Sequence, residues 1–564
     1  MSRTRPARTA AHSTLQIGAE VTAAAASPEC FGAKACGLWR MARIGLPVPP
    51  AFVLGTDWCR DFLSRGREPD GLPETLHRLL RGLEAAAGRR YGDGRRPLLL
   101  AVRSGAADSM PGMMETILNV GLNDTTVQGL IRHTGNPRLA WDCYRRLLQT
   151  YAEVVHGCRA EPFERVYGRL AAPGRAVDSH ALRAITQEYL GMMQALTGAV
   201  FPQDPDEQLR RAVAAVFGSW ESPRASEYRT RHGIDARAGT AATVQAMVFG
   251  NAGGTSGSGV GFTRNPATGA NELYMDFLAN AQGEDVVAGT RNISQQDALA
   301  ALLPAARAEI ERVRQRLETE FRDMQDFEFT IEDGRVYLLQ TRAGKRTPLA
   351  ALRIAVDLVN EGLIDAQEAL ARLAGIDLAA VDEQVLDVAG DQHVLASATA
   401  ASSGIASGVI ALDADALKAA HARGQSGILV RDQTSTEDVA ALALAEGLLT
   451  ARGGRTSHAA VVARQMNKAC IVGCVDLRID QAARRIAFGE QVLNEGEVIT
   501  LDGGSGLIYP GALGLKRIRP EACLAAVAGW KKQGTGATAT GAARARRKRP
   551  RQSMPRTRRR GTDR

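Results

Sequence analysis

Apolar positions recur at helical spacing along "RLAWDCYRRLLQTYAEVV" (138–155) and "TPLAALRIAVDLVNEGLIDAQEALARL" (347–373). By contrast, "PLLLAVRSG" (97–105), "GILVRD" (427–432) and "GLLTAR" (447–452) are short apolar runs that end in charged or turn residues. The first kind predicts helices and the second strands. Followed along the chain, these patterns divide it. Residues 15–135 mix strands with Gly- and Pro-rich loops, 136–235 are mostly helical, 236–347 return to strands, and 348–389 form a helical linker. Residues 390–512 alternate short strands with helices, 513–532 add a last helix, and no internal repeat is evident. Residues 1–14 and 533–564 are expected to be disordered, the latter because it has no periodic apolar positions with which to bury a core. The expected fold class is a multidomain α/β and α+β protein, since 564 residues suffice for three or four domains.

One hairpin carries more detail. In "MQDFEFTIEDGRVYLLQTR" (324–342), Phe327, Phe329 and Ile331 alternate with Asp326, Glu328, Thr330 and Glu332, which predicts a strand with one apolar and one polar face. After Asp333-Gly334, Tyr337 and Leu339 continue the apolar parity, and Gln340 and Arg342 the polar one. A two-residue turn would pair 328 with 339 and turn Gln340 toward the apolar face. A three-residue loop with Gly334 left-handed pairs 326 with 340 instead, and this is the expected register. It gathers Asp326, Glu328, Gln340 and Arg342 on one face, a set of hard oxygens and a guanidinium suited to a divalent metal and phosphate. The bland reading of the same residues is a solvated strand face with an ion pair.

Composition alters this picture mainly at the ends. An apolar share of 45% is ordinary for a soluble globular protein, and no stretch reaches the roughly 18 consecutive apolar residues of a membrane span. Eight scattered cysteines without a CxxC point to reduced thiols and a cytoplasmic location. Arg3, Arg5 and Arg8 precede the first acidic residue, Glu20, but no apolar stretch follows them as in a secretory signal. The formal charge of +9 is set by the C-terminus, where residues 531–564 carry thirteen Lys and Arg against Asp563. That is +12, which leaves residues 1–530 at −3. Nucleic acid is therefore expected to bind only non-specifically, through the tail.

Other residues offer chemistry. "FGAKACGL" places Lys34 in a small-residue loop before a helix, and "AVRSGAADSMPGMMETILNVGLND" places Arg103 at the end of an apolar strand, before a loop with Gly112, Met113 and Met114. Both cations can hold phosphate oxygens, and glycine lets backbone amides approach them. "GNAGGTSGSGVGFTRNP" is dense enough in glycine for a strand or loop close to a ligand. In "GGRTSHAAVVARQM" a glycine-rich turn becomes a helix, with Thr456 and Ser457 as N-cap residues and His458 in the first turn. A neutral imidazole can accept a phosphoryl group there, and the helix N-terminus favours the anionic product. A histidine that merely caps its helix would read the same way.

The stretches "VRSGAADSMPGMMETILNVGLND", "VQAMVFGNAGGTSGSGVGFTRNPATG", "NAQGEDVVAGTR", "MQDFEFTIEDGRVYLLQTRAGKRT" and "STEDVAALALAEGLLTARGGRTSHAAVVAR", in that order, resemble the pyruvate, phosphate dikinase family of PEP-utilising enzymes. The likeness runs from about residue 30 to about residue 530. It implies an ATP-grasp nucleotide-binding unit with a helical insertion, then a swivelling α/β phosphohistidine domain, and in the family a barrel for pyruvate and phosphoenolpyruvate follows. It implies ATP as a substrate, magnesium as cofactor, phosphate and pyruvate or phosphoenolpyruvate as further partners, and a homodimer.

Residue by residue, the resemblance puts the family's ATP-site lysine on Lys34, its phosphate-binding arginine on Arg103, and its loop over the phosphates on Gly112, Met113 and Met114. Asp326 and Arg342 match its phosphate-site residues and Glu328 and Gln340 its metal ligands; Glu284 lies in a matching nucleotide-site motif. His458 matches the phosphorylated histidine and Thr456 a regulatory phosphorylation site. Two departures stand out. In "GAKA" alanines flank the lysine where the family has glycines, which restricts the expected loop, and Arg455 stands where methionine is common, an extra cation that could steady a phosphoryl group.

After residue 532, where the resemblance leads one to expect the barrel, "QGTGATATGAARARRKRPRQ" follows, and a reading frame broken near residue 533 is the expectation. The barrel would then have to come from a separate chain. Phosphoenolpyruvate synthase-like and drug-phosphorylating enzymes, and a non-catalytic ATP-binding protein, are the alternatives; "TSGSGVGFTRNP" and "AQGEDVVAG" favour the dikinase.

Overall fold

Two antiparallel sheets organise residues 14–343. The computed structural model describes residues 12–18, 26–108, 110, 113–170, 177–287, 298–387, 392–434, 438–455 and 457–532. The first sheet has five strands in the order Thr14–Ile17, Ala51–Leu54, Ala241–Ala246, Leu100–Gly105, Thr116–Val120. The second has four, in the order Arg335–Ala343, Gln325–Glu332, Gly257–Phe262, Tyr274–Ala279. Because Ala241–Ala246 lies inside the first sheet, the segments before and after the helical region are interleaved.

The helices between them start and stop where local chemistry dictates. Pro137–His156, for instance, begins with Asn136 accepting a hydrogen bond from the Leu139 amide, has proline in its first turn, and ends at left-handed Gly157. Its buried residues, with those of Leu72–Ala87, Ser179–Thr197 and Pro205–Gly218, form one continuous core with the first sheet. A second core joins Phe277, Phe327, Phe329 and Ile331 of the four-stranded sheet to the helices Pro28–Arg43 and Pro304–Phe321.

The 325–343 hairpin departs from the expected register. Asp333 (φ 48°) and Gly334 (φ 78°) form a two-residue turn between paired Glu332 and Arg335, so Val336 and Leu338, not Tyr337 and Leu339, face the core with Phe329 and Ile331. A bulge then absorbs Leu339: Phe329 pairs with Leu338, but Glu328 pairs with Gln340 and Asp326 with Arg342. The extra residue reverses the parity of the strand. The polar cluster therefore shares a face, through a bulge and not through a longer turn.

The glycines of the dense strand make their closest approaches to the core. A Cβ on Gly257, Gly259 or Gly261 would meet the ring of Phe277, Phe329 or Phe327 at 2.3, 2.3 or 2.6 Å. These glycines admit phenyl rings of the core, while Ser258, between them, points the opposite way.

Beyond Phe262, fully buried Arg264 gives three hydrogen bonds to Glu318, of 3.0, 3.2 and 2.9 Å, and another of 2.6 Å to Glu361. It thereby ties the sheet to the helices Pro304–Phe321 and Pro348–Asn360. Glu318→Ala leaves this cation short of its principal partner, and an expected loss of about 3 kcal/mol should appear as a lower urea midpoint with an unchanged slope.

Residues 396–510 form an eight-stranded sheet in the order Ala396–Ser397, Leu507–Pro510, Val498–Asp502, Ile405–Ala411, Gly427–Arg431, Gly447–Thr450, Ala469–Val472, Thr399–Ser402. The run from Ile405–Ala411 to Ala469–Val472 is parallel. The chain enters this domain through Glu383–Leu386 and leaves it through Leu515–Ile518, and the two segments pair with each other. A helix at 521–532 then brings Leu524, Val527 and Trp530 back onto Leu352, Ala355 and Leu373 of the linker helices. The N-terminal stretch 1–11 and the basic tail, 533–564, lie outside the described residues. Among the described residues no helix is long and apolar enough to cross a membrane.

Candidate active site

Lys34 lies within the helix Pro28–Arg43, not in a loop before one. That helix is broken once, at Gly32 (φ 77°, ψ 153°), where a Cβ would meet the carbonyl oxygen of Gly105 at 2.4 Å. The Ala33 amide donates to the Ala106 carbonyl at 2.9 Å. The break is thus pinned to the end of the Leu100–Gly105 strand that carries Arg103, and only glycine permits the approach. Ala33 and Ala35, the apparent departures, occupy helical backbone, and Ala35 is fully buried in the second core. They constrain no loop.

Lys34 and Arg103 face a cleft of about 420 Å³ between the two sheets. Arg103, Thr116 and Gln245 line it from the five-stranded sheet, and Ser258, Glu328, Thr330 and Gln340 from the four-stranded one. Ala101, Leu118, Ala246, Met247 and Leu339 give it an apolar wall. The volume falls in the range of small-molecule sites, and the mixture of a greasy wall with converging cations suits a nucleotide. Several of these residues escaped the reading of the sequence. Thr330, which shares a hydrogen bond of 3.1 Å with Ser258, alternates with the core residues Phe329 and Ile331 along its strand, and that alternation is the signal that could have found it.

Burial lowers the Lys34 pKa; Glu328 opposes this, and Arg103 and Arg342 reinforce it. Asp326 behaves in the opposite sense: burial raises its pKa, Arg342 opposes, Glu328 reinforces, and Arg464 opposes. Arg342 Nε donates to Asp326 Oδ2 at 2.7 Å, beside but not within the lining of the cleft. Arg103 Nε is buried without a hydrogen-bond partner among the described residues, as expected of a donor awaiting an anion.

A metal fits here only in company. Among the described residues no group of three or more His, Cys, Asp or Glu is placed to hold an ion. Glu328 and Gln340, paired across the hairpin, supply two oxygen donors into the cleft. Such a pair suits a magnesium ion that would take its other ligands from phosphate and water.

Met113 and Met114 pack against the core of the five-stranded sheet and do not line the cleft. Gly112 lies outside the described residues. Glu284 belongs to the short helix Gly283–Val287, next to cleft residues Gln282 and Gly283; its side chain is outside the described residues.

His458 opens the helix His458–Gln465, whose N-cap is Ser457; the Ser457 hydroxyl accepts from the Ala460 amide at 3.4 Å. Thr456 and the His458 side chain lie outside the described residues. The preceding strand, Gly447–Thr450, belongs to the parallel part of the sheet, so the histidine turn sits beyond its C-terminal end, where open α/β sheets hold their ligands. This helix lies beside the four-stranded sheet: Arg464, on its last turn, stacks on Phe262, the strand neighbour of Asp326.

Residues 68–298 match the family model of the pyruvate phosphate dikinase AMP/ATP-binding domain, and residues 424–506 match that of the PEP-utilising enzyme mobile domain. The pyruvate, phosphate dikinase of Rhizobium meliloti (strain 1021) is 45% identical over 509 residues, covering 87% of this chain and 56% of that protein. The enzyme of that name from Clostridium symbiosum is 44% identical over 490 residues, covering 85% and 56%. A chloroplastic one from Arabidopsis thaliana is 42% identical over 500 residues, covering 87% and 52%. The chain spans about half the length of these curated relatives. With matches to both the AMP/ATP-binding domain and the mobile domain, and 42–45% identity to these relatives over more than four fifths of its own length, the chain is pyruvate, phosphate dikinase-like.

Proposed function

We propose that this chain carries out the nucleotide half of the dikinase reaction, in which ATP and inorganic phosphate phosphorylate His458 with release of AMP and pyrophosphate. The supporting observation is the cleft itself, where Lys34 and Arg103 on one side face Glu328 and Gln340 on the other. In the sequence of steps implied by the likeness to the family, a histidine nitrogen takes the pyrophosphoryl group as AMP leaves. Phosphate then accepts the terminal phosphoryl, which leaves as pyrophosphate, and the former β-phosphoryl stays on the ring.

The ATP-grasp unit would hold ATP with its base along the apolar wall and its phosphates at Lys34 and Arg103, whose charge stabilises the transferring group. Glu328 and Gln340 would hold magnesium, which when bound neutralises charge on the phosphate oxygens. Asp326 orients Arg342 toward the same phosphates. The phosphohistidine domain then swivels away. Onward transfer to pyruvate, giving phosphoenolpyruvate, is proposed only with a barrel supplied by the remainder of a longer protein or by another chain.

The test is incubation of the purified chain with magnesium, phosphate and ATP labelled at the β- or the γ-phosphate. Acid-labile label on the protein from β-labelled ATP, with γ-label recovered in pyrophosphate, is expected. A protein that takes up neither label would sink the proposal.

The site also sets a pH window for ATP binding. A lowered Lys34 pKa means that its proton is lost below the ordinary value for lysine, and a raised Asp326 pKa means that its charge is lost above the ordinary value for aspartate. Both limbs move inward. Lys34→Arg keeps a charge that does not titrate there, so ATP affinity measured by calorimetry should lose its alkaline limb while the acid limb stays.

A further inference from the structure

Two arginines of the mobile domain meet two aromatic rings of the nucleotide-binding domain. Arg455 Cζ lies 4.7 Å from the centre of the Tyr274 ring and Arg464 Cζ 5.3 Å from that of Phe262. The rings touch edge to face, 6.1 Å apart, at the end of the Gly257–Phe262 and Tyr274–Ala279 strand pair. Tyr274 Oη donates to the Ala400 carbonyl at 2.8 Å, and Ser403 Oγ to the Ala267 carbonyl at 3.2 Å. Arg464 Nη1 also donates to the carbonyls of Ala401 and Arg455, at 2.6 and 2.9 Å. Those bonds brace the two segments of the mobile domain that reach the rings, the strand Thr399–Ser402 and the turn before His458.

The chemistry of this contact is that of a reversible one. Arg455 Nε and Arg464 Nε and Nη2 are buried with no hydrogen-bond partner among the described residues, so the ring faces, not acceptors, meet much of their charge. The contacts found across the boundary are cation–π pairs and single hydrogen bonds, the makeup of an interface that opens. Tyr274 is 5% exposed and the two arginines oppose the rise that burial gives its pKa, to about 12; its hydroxyl is a neutral donor throughout the working range of the protein.

We infer that Arg455 and Tyr274 form a latch that holds the mobile domain against the nucleotide-binding domain, with Arg464 as the brace that presents Arg455. The latch sets the fraction of time that the histidine turn spends beside the cleft. The inference rests on the reading of this domain as one that swivels, and not on the phosphoryl chemistry. Arg455, an oddity of the sequence, thus points its charge at a ring of the other domain.

Spin labels carried by a non-natural amino acid at exposed Glu188 and Lys418 report the distance between the two domains in the full chain, leaving its cysteines untouched. Wild-type protein should show one dominant distance. Arg455→Met should lower the ratio of docked to undocked molecules about fivefold, the loss of one cation–π contact. Tyr274→Phe keeps the ring and should lower it less, and Tyr274→Ala should lower it most, with thermal melting recorded to show that each variant is folded. Identical distance distributions in wild type, Arg455→Met and Tyr274→Ala would overturn the latch. Absence of histidine labelling together with a shifted distribution would overturn the proposed reaction and leave the latch standing.

Discussion

His458→Asn should bind ATP as the wild type does and retain no label from it. In the proposed site the nucleotide is held by Lys34, Arg103 and the Glu328–Gln340 pair, all outside the domain that carries His458, so loss of the imidazole should leave binding untouched. Asparagine is tolerated in the first turn of a helix and has no nucleophilic ring nitrogen, so the fold persists while the acceptor disappears. Calorimetry with a non-hydrolysable ATP analogue measures the first statement, and acid-lability mapping after incubation with β-labelled ATP the second. Stable label in His458→Asn would move the acceptor elsewhere in the chain.

The second large effect is expected at the hairpin. Glu328→Ala and Gln340→Ala should each slow protein labelling by about 100- to 1,000-fold, as removal of a preorganised electrostatic contact typically does. Both residues are partly exposed in the cleft and not in the core, so melting temperatures should scarcely change. Glu328→Ala carries an added signature. Glu328 is the carboxylate that opposes the lowering of the Lys34 pKa, so its removal should draw the alkaline limb of ATP binding to still lower pH. Gln340→Ala removes no charge and should leave that limb in place. Unchanged labelling in either variant would take that residue out of the site.

The hairpin also shows what a sequence does and does not disclose. The alternation of Phe327, Phe329 and Ile331 with polar neighbours is a local fact, and it fixed which face of that strand is buried. The return strand could not be read in the same way, because alternation is silent about where an extra residue is absorbed. An Asp-Gly pair admits two loop lengths, and the bulge at Leu339 restores the parity that the shorter one would have broken. The grouping of Glu328 with Gln340 therefore follows from a residue that looked unremarkable.

Other misreadings share that cause, since they concern contacts distant in sequence. Nothing near Lys34 says that Gly32 must admit the Gly105 carbonyl, and nothing in "GSGVGF" says that its glycines lie under Phe277, Phe329 and Phe327. The apolar wall of the cleft draws on four separate strands or their ends and was invisible for the same reason. Elements governed by their own neighbours were legible: the capped helix at Pro137–His156, the paired short strands at Gly427–Arg431 and Gly447–Thr450, and the turn in which Ser457 precedes His458.

The pairing of Glu383–Leu386 with Leu515–Ile518 makes residues 387–514 a removable cassette. Leu386 lies directly opposite Leu515, and the Asp387 amide donates to the Gly514 carbonyl at 2.9 Å, so the two ends of the insert are neighbours in a ladder about 5 Å wide. To the rest of the protein, everything between them is the loop of a hairpin. An Asn-Gly turn spliced between Leu386 and Leu515 would close that hairpin without moving either strand. The same junction would accept a foreign domain whose termini lie equally close, so a single pair of splice points governs what the nucleotide-binding half carries on its arm.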